Sequence, residues 1–398
     1  MTGLISVDEA LAFLLEHRPE MPVEIVPLDA ALGRTLAAPL HAKLTQPPAA
    51  LSAMDGYAVR LADVAAPGAR LTIVGEAPAG SPFAGPVAAG EAVRIFTGGY
   101  VPDGADHIVI QETVERDGDT IICRDAYAEP RHIRAAGRDF AEGDVLVPMN
   151  ARIGPPELAI AAAANHSELM VRKRPKVAII TNGNELKPPG TDLLPGEIVS
   201  SNRYSIGALA KKWGGDVLQT GHSADSVASI LDTLSPLEDG DIFVPIGGAS
   251  VGDHDHMRTA FREFGFQPIF EKIAVRPGKP TWFSKKDDQL ALGLPGNPAS
   301  AYVCAQLFLR VLLADAGSLE TRIGRLAAPV PENGPRETFM RGVATIDPSG
   351  AISVEPAPDQ DSSLLTPFLS ANALIRRLPH APAANDAEII EFVPIGSF

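Results

Sequence analysis

Apolar positions change their period several times along this chain, and each change predicts a different kind of structure. After the capping-box pattern Ser6-Val7-Asp8-Glu9, Val7, Ala10, Leu11, Leu14 and Leu15 recur at helical spacing, which predicts a helix to about His17. Pro19, Pro22 and Pro27 then break the chain, and a short helix is expected around 29–36. From 44 to about 139, short runs such as YAVR, RLTIVGEA, EAVRIFTGG and HIVIQE alternate with Gly and Pro, the texture of a small β domain. Pro155 and Pro156 can open a helix to about 164, because proline is tolerated in a first helical turn.

From 175 the period changes again. KVAIIT, DVLQTG and DIFVPI read as strands, separated by helical patterns at 202–213, 227–234 and 253–264 and followed by a long helix at 298–313. That alternation predicts βαβ units and a parallel sheet covered on both faces, with ligands expected beyond the strand C-termini. After about 318, proline-rich β texture returns in AISVEP and EIIEFVPI. The expected fold is therefore multi-domain, α/β and β. It comprises an N-terminal mixed, partly helical domain from 1–44 plus 139–170, an inserted β domain at 45–138, a central βαβ parallel-sheet domain at 171–317 and a C-terminal β domain at 318–398.

Composition narrows the function classes. The 398 residues are too many for one core and agree with several domains. A net charge of −15 repels nucleic acid and anionic membranes, so neither is expected as a main partner. No segment approaches a membrane span, and Asp8, Glu9 and Glu16 replace the basic start of a signal peptide, which predicts a cytoplasmic protein. Cys123 and Cys304 stand alone, without the spacing of a disulfide framework or zinc site.

Against that acidic background, 241–300 gathers anion-friendly chemistry. The strand DIFVPI ends in Gly247-Gly248-Ala249-Ser250-Val251-Gly252, a glycine turn before a helix, where free N–H groups can converge on an anion. Arg276 and Lys279 flank Pro277 and Gly278 on a turn of restricted shape. A third turn, Pro295-Gly296-Asn297-Pro298, leads to Ser300 at a helix mouth. The expected rim carries Glu185, Ser250, Asp255 and Ser300 together, as one phosphate- or oxyanion-binding cleft. Asp55, in SAMDGYAVR, and Asp139, in GRDFAEGD, sit on turns and can equally be capping residues.

The motifs SAMDGYAVR, TGGYVPDGADHIVIQE, GRDFAEGD, TNGNELKPPG, SNRYSIGALA, GGASVGDHD, RPGKP, GLPGNPAS and SSLLTPFLSANALI, in that order, closely resemble the MoeA family of molybdopterin molybdenumtransferases, which includes the C-terminal domain of gephyrin. The resemblance implies a four-domain subunit that forms a homodimer, with the central, molybdopterin-binding-like domain of one copy facing the β insert of the other. It implies a reaction in molybdenum cofactor biosynthesis in which molybdate enters adenylylated molybdopterin and AMP is released with Mg²⁺. By motif match, Gly247, Gly248, Ser250, Arg276, Lys279, Pro280, Ser300, Arg341 and Ser362 or Ser363 would hold the substrates. Glu185 and Asp255 would bind Mg²⁺, Asp255 would also orient the attacking water, and Asp55 and Asp139 would be further catalytic acids. An adenylyltransferase that supplies the pterin is an expected partner. Three positions depart from the family pattern: Arg276 where lysine is common, Thr181-Asn182 for Ser-Thr, and Ala373 for glycine. Two other functions stay open on the same residues. One is the molybdopterin adenylyltransferase, whose domain resembles 171–317; the other is a non-enzymatic, gephyrin-like scaffold.

Overall fold

The computed structural model describes residues 3–218, 221–248, 256–314 and 319–397. They form two compact units, one of Val23–Arg172 and one of Met1–Pro22 with Lys173–Phe398.

In the first unit, strands Val23–Pro27 and Glu168–Arg172 pair antiparallel, with Ile25 opposite Met170. Helix Pro155–Ala163 begins on its two prolines, and the Gly154 N–H is capped by the Glu157 carboxylate at 2.8 Å. The helix expected at 29–36 is a single 3-10 turn, Leu28–Ala30, because Gly33 takes a left-handed φ of +72° and ends helical winding. The insert is a six-stranded sheet in which strand Gly56–Val59 lies between the edge strand His107–Ile110 and Glu91–Ile95. Strict alternation along that strand sends Tyr57 and Val59 into one apolar core and Ala58 into another on the opposite face. Gly56 is required there, since a Cβ would lie 2.1 Å from the Val109 carbonyl oxygen.

The second unit contains the α/β sheet. Strands Asp216–Val217, Lys176–Asn182, Ile242–Ile246 and Gln289–Gly293 are parallel neighbours, and Gly221–Ser223 also pairs with Lys176–Asn182. The sheet is mixed, however: Trp282–Lys286 and Gln267–Phe270 extend it antiparallel. A two-residue turn joins Trp282–Lys286 to Gln289–Gly293, too short for the crossover that a parallel pair needs. Ile242, Val244 and Ile246 face one core and Phe243 the other, so both faces are covered. The first helix, Val7–Glu16, has its capping box formed by Ser6 and Glu9, and its Val7, Ala10 and Leu14 are buried in this α/β core. It therefore packs within the α/β unit, whereas it was expected to group with 139–170.

The C-terminal sheet closes on itself. Glu337–Ile346 pairs with Ile352–Pro356 on one edge and with Ala373–Arg377 on the other, while Arg322–Leu326 and Ile389–Pro394 complete the ring. Closure leaves no open edge among those five strands. A sixth strand, Val275–Arg276, pairs with Glu337–Ile346 and carries the cationic turn onto this barrel. No helix among the described residues is long and apolar enough to cross a membrane.

Candidate functional site

The parallel strands place three loops at one rim. Lys176–Asn182 leads to Glu185, Ile242–Ile246 leads to Gly247-Gly248, and Gln289–Gly293 leads to the Pro295-Gly296-Asn297 turn. Gly247 and Gly248 have φ of +91° and +67°, conformations costly to any other residue. A Cβ on Gly296 would lie 3.4 Å from the Gly247 Cα, and one on Gly248 would press 2.9 Å from the Asn182 side-chain oxygen. The backbones of two loops therefore come close, and the left-handed φ of Gly247 and Gly248 favours glycine on one of them. Gly247, Gly248, Asn297, Pro280 and Ser300 line a cavity of about 280 Å³.

Pro280 and Ser300 also line a second cavity of about 530 Å³, together with Arg276, Lys279, Gly278 and Ser362. The cationic turn is registered against the helix Pro298–Cys304 by a close fit. Gly278, at φ +119°, lies over Cys304 so tightly that a Cβ would come 2.1 Å from its sulfur. Thr281 Oγ1 closes the same turn by donating to the Gly278 carbonyl at 2.8 Å and lies 3.3 Å from Cys304 Sγ. Ser300 precedes Cys304 by four residues, hence on the same helix face. The contact that seats the turn therefore also aligns Lys279 with Ser300. Burial pushes the Cys304 thiol up to about 12, so it serves as packing.

Ser362 arrives on a loop of the C-terminal domain. Its carbonyl accepts from the Ala299 N–H at 3.0 Å, and its hydroxyl accepts from Asn297 Nδ2 at 2.9 Å, which docks the loop on the helix N-terminus. Ser363 turns away: its hydroxyl and N–H both donate to Asp361 Oδ1, at 2.6 and 2.8 Å. Those two donors hold the Asp361 carboxyl below its ordinary value. Of the serine pair, Ser362 is the one that lines the cavity.

Arg341, which the family resemblance puts among the substrate-holding residues, is engaged by the loop beside the cavity. Only 2% exposed, it donates to the carbonyls of Leu364 (2.7 Å), Asp361 (2.9 Å) and Asp359 (3.1 Å), while its N–H reaches Gln360 Oε1 at 2.9 Å. Burial lowers its pKa, and Asp359 and Asp361 oppose that shift. Its fork is spent on the backbone of the loop that presents Ser362.

The other expected residues divide. Ser250 and Asp255 lie outside the described residues. Glu185 is exposed, with its carboxylate folded back over Gly183. Among the described residues no group of three or more His, Cys, Asp or Glu could hold a metal. Asp55 belongs to the insert, where Oδ1 accepts from the N–H and the hydroxyl of Thr97 at 2.8 and 2.9 Å; these bonds, the N–H first, hold its carboxyl below the usual range. Asp139, with Arg134 and Arg138, lines a separate cavity of about 350 Å³ in the same unit.

Comparison with known proteins adds a family to this geometry. Residues 5–165 match the model for the MoeA N-terminal region (domains I and II), 178–315 the probable molybdopterin binding domain, and 324–395 the MoeA C-terminal region (domain IV). The chain is 30% identical to the molybdopterin molybdenumtransferase of Haemophilus influenzae, covering 94% of both chains. The chain belongs to the MoeA family. It is also 35% identical to the molybdopterin molybdenumtransferase of Nostoc sp., over 75% of this chain and 71% of that one. A crystal structure of the MoeA molybdopterin biosynthesis protein from Pyrococcus horikoshii superposes with a TM-score of 0.85 at 27% identity, covering all of both chains.

Several residues at the site of this MoeA-family enzyme escaped the sequence reading. Asn182 and Asn202 close the rim: Asn182 Nδ2 donates to Asp225 at 2.8 Å and Asn202 Nδ2 donates to the Gly296 carbonyl at 2.7 Å. Their side-chain oxygens, with the hydroxyls of Ser200 and Ser223, are buried without a partner among the described residues, which suits a polar ligand. The signal was available: TNGN follows a strand and SNRY opens a helix, both positions where amide side chains meet free backbone groups.

Proposed function

We propose that this chain inserts molybdate into adenylylated molybdopterin, with Mg²⁺-dependent release of AMP, as a step of molybdenum cofactor biosynthesis. One observation carries the reading: a single cavity gathers Arg276, Lys279, Ser300 and Ser362 from three separate stretches of an acidic chain. Molybdate is a tetrahedral dianion, and cations and hydroxyls on several sides of one space are the chemistry that would hold it. In this reading Lys279 and Arg276 neutralise the oxyanion, and Ser300 and Ser362 donate to its oxygens. Gly247 and Gly248 let the pterin-bearing substrate approach the neighbouring backbone closely, and Pro280 shapes the wall between the two cavities.

Mg²⁺ uses one or two carboxylates and leaves its remaining positions to water and substrate phosphate. Glu185, an oxygen donor at the same rim, fits that demand, and Asp255 would be its companion; when bound, the ion would neutralise the adenylyl phosphates. Asp255 would also orient the water that cleaves the phosphoanhydride, with catalysis resting on charge and position. We further propose that two copies pair, so that Asp55 and Asp139 serve the partner's cavity, and that an adenylyltransferase hands over the pterin. Matches to the N- and C-terminal regions as well as the middle favour this reading over an adenylyltransferase, whose likeness is confined to the α/β domain.

The test is turnover. Incubation with adenylylated molybdopterin, Mg²⁺ and molybdate should release AMP, and Lys279→Ala should abolish the molybdate dependence while leaving the fold intact. AMP release indifferent to molybdate, or full activity in Lys279→Ala, would overturn the assignment.

A further inference from the structure

Strand Ala373–Arg377 carries a basic pair, Arg376-Arg377, for which the motifs supply no role. Strand alternation separates the two. Both lie on Ala373–Arg377, so their side chains leave opposite faces of the barrel wall. Arg376 enters an ion-pair cluster with Glu337, Asp8 (3.1 Å) and Glu391 (3.4 Å). Arg377 goes the other way. Register places Arg276 beside Thr338 and Thr338 beside Arg377, so these three residues form one row across three adjacent strands, on one face.

That face is the wall of the larger cavity, which Arg377 lines. Arg377 is 7% exposed; one end of its guanidinium, Nη2, is held by the carbonyls of Pro331 and Pro382, and its Nε is buried without a partner among the described residues. A buried donor left unpaired beside a polar cavity points to a ligand that completes it. The charges of the lining set the kind of ligand. Arg276, Lys279, Arg336 and Arg377 are opposed by Glu332 and Asp361, an excess of two positive charges among the described lining residues. Without Arg377 the excess is one.

We propose that Arg377 makes this cavity select a doubly charged tetrahedral oxyanion over a singly charged one of the same shape. The proposal rests on reading the cavity as the oxyanion site and adds the residue that sets its charge preference. The guanidinium, tethered to two proline carbonyls, cannot follow the ligand and acts as a fixed charge at the end of the cavity. A fixed unit charge acts twice as strongly on a dianion as on a monoanion, while shape and hydroxyl contacts are common to both.

The experiment is calorimetric titration of the full-length chain with molybdate and with perrhenate, a tetrahedral monoanion, at constant ionic strength. Wild-type protein should bind molybdate more than tenfold tighter than perrhenate. In Arg377→Gln that ratio should fall about tenfold, the scale of one unit charge felt across about 12 Å at an effective dielectric of about 20. Arg377→Lys, which keeps the charge but loses the fork, should restore most of the ratio even where both variants lower overall affinity. A purely structural Arg377 would weaken both anions equally, and an unchanged ratio in Arg377→Gln overturns the proposal. So does equal binding of the two anions by wild-type protein, a measurement independent of how the variants fold. Lys279→Ala separates the two levels of the argument. If it leaves molybdate binding untouched, the oxyanion site itself is misassigned; if it abolishes binding while Arg377→Gln keeps the ratio, only the charge selection fails.

Discussion

Replacing Arg341 by lysine tests whether this residue holds a loop or a ligand. Its guanidinium donates to three carbonyls of the segment 359–364, and a lysine ammonium on a flexible stem cannot reproduce that planar fork. Hydrogen bonds to a charged group contribute about 1.5–3 kcal/mol each, but bonds in one network do not add, and loop carbonyls can regain water on opening. A loss of about 3 kcal/mol in loop docking is a reasonable scale, equivalent to about a hundredfold in the opening equilibrium. The reporter is the Ala299 amide. It lies in the first turn of the helix Pro298–Cys304, where no intrahelical acceptor exists, and its partner is the Ser362 carbonyl at 3.0 Å. Native-state hydrogen exchange in Arg341→Lys should therefore show Ala299 exchanging about a hundredfold faster, with core strands such as Ile242–Ile246 unchanged. Molybdate affinity should fall in step, because Ser362 is then presented only part of the time. If affinity collapses while Ala299 keeps its protection, Arg341 is a direct ligand after all and the positional reading is refuted.

Gly278→Ala should unseat the cationic turn, since the new Cβ would lie 2.1 Å from Cys304 Sγ on a backbone at φ +119°. Adding Cys304→Ala should recover part of the loss, seen as a partial return of molybdate affinity; no recovery would point to the backbone conformation alone. His107 supplies a pH dependence. Its ring is fully buried and its Nδ1 accepts from the Arg131 N–H at 3.1 Å, so the neutral form is the one that fits. Burial first, then the neighbouring His132, lowers its pKa below the ordinary histidine value, so the unfolded chain takes up the proton before the folded one does. The insert should be fully stable above about pH 6.5 and lose stability as the pH falls from there towards the depressed folded value. Exchange of amides in His107–Ile110 at pH 7.5 and 5.5 should show this, and His107→Gln should flatten it. For Asp55, Thr97→Val removes one of two donors and should raise the carboxyl's titration midpoint only part of the way back, measurable by carbon NMR.

The α/β unit was legible because its signals are local: apolar runs of strand length, helical spacing between them, and glycine turns where strands end. The two antiparallel strands at one edge were not, since Trp282–Lys286 is as apolar at its start as a parallel strand and only the two-residue turn to Gln289 gives its direction. The grouping of the first helix also escaped. An amphipathic pattern states that Val7, Ala10 and Leu14 must be buried, but not against what. Lys279 and Ser300 were placed on turns by sequence alone, and both line one cavity. For Arg341 the motif alone does not separate two roles, since a residue type fits it equally well whether it touches the substrate or the loop beside it.

That distinction bears on how an acidic chain can hold a dianion at all. Arg276 and Lys279 are exposed, and an exposed cation is strongly hydrated and interacts weakly. What raises their value is position fixed in advance, so that binding orders no further groups. Three packing and backbone contacts, none of them an ion pair, supply that fixation. Gly278 on Cys304 sets the turn against the helix, Ala299 on Ser362 sets the loop against the same helix, and the Val275–Arg276 pairing with Glu337–Ile346 ties the turn to the barrel. Each joins a different pair of segments, but two of them meet on the helix Pro298–Cys304. Substitutions at Gly278 and at Arg341 should therefore be close to additive in molybdate binding energy if the walls act independently, and strongly non-additive if they share one cooperative opening. A double-mutant cycle decides between these, and the shared helix Pro298–Cys304 predicts coupling.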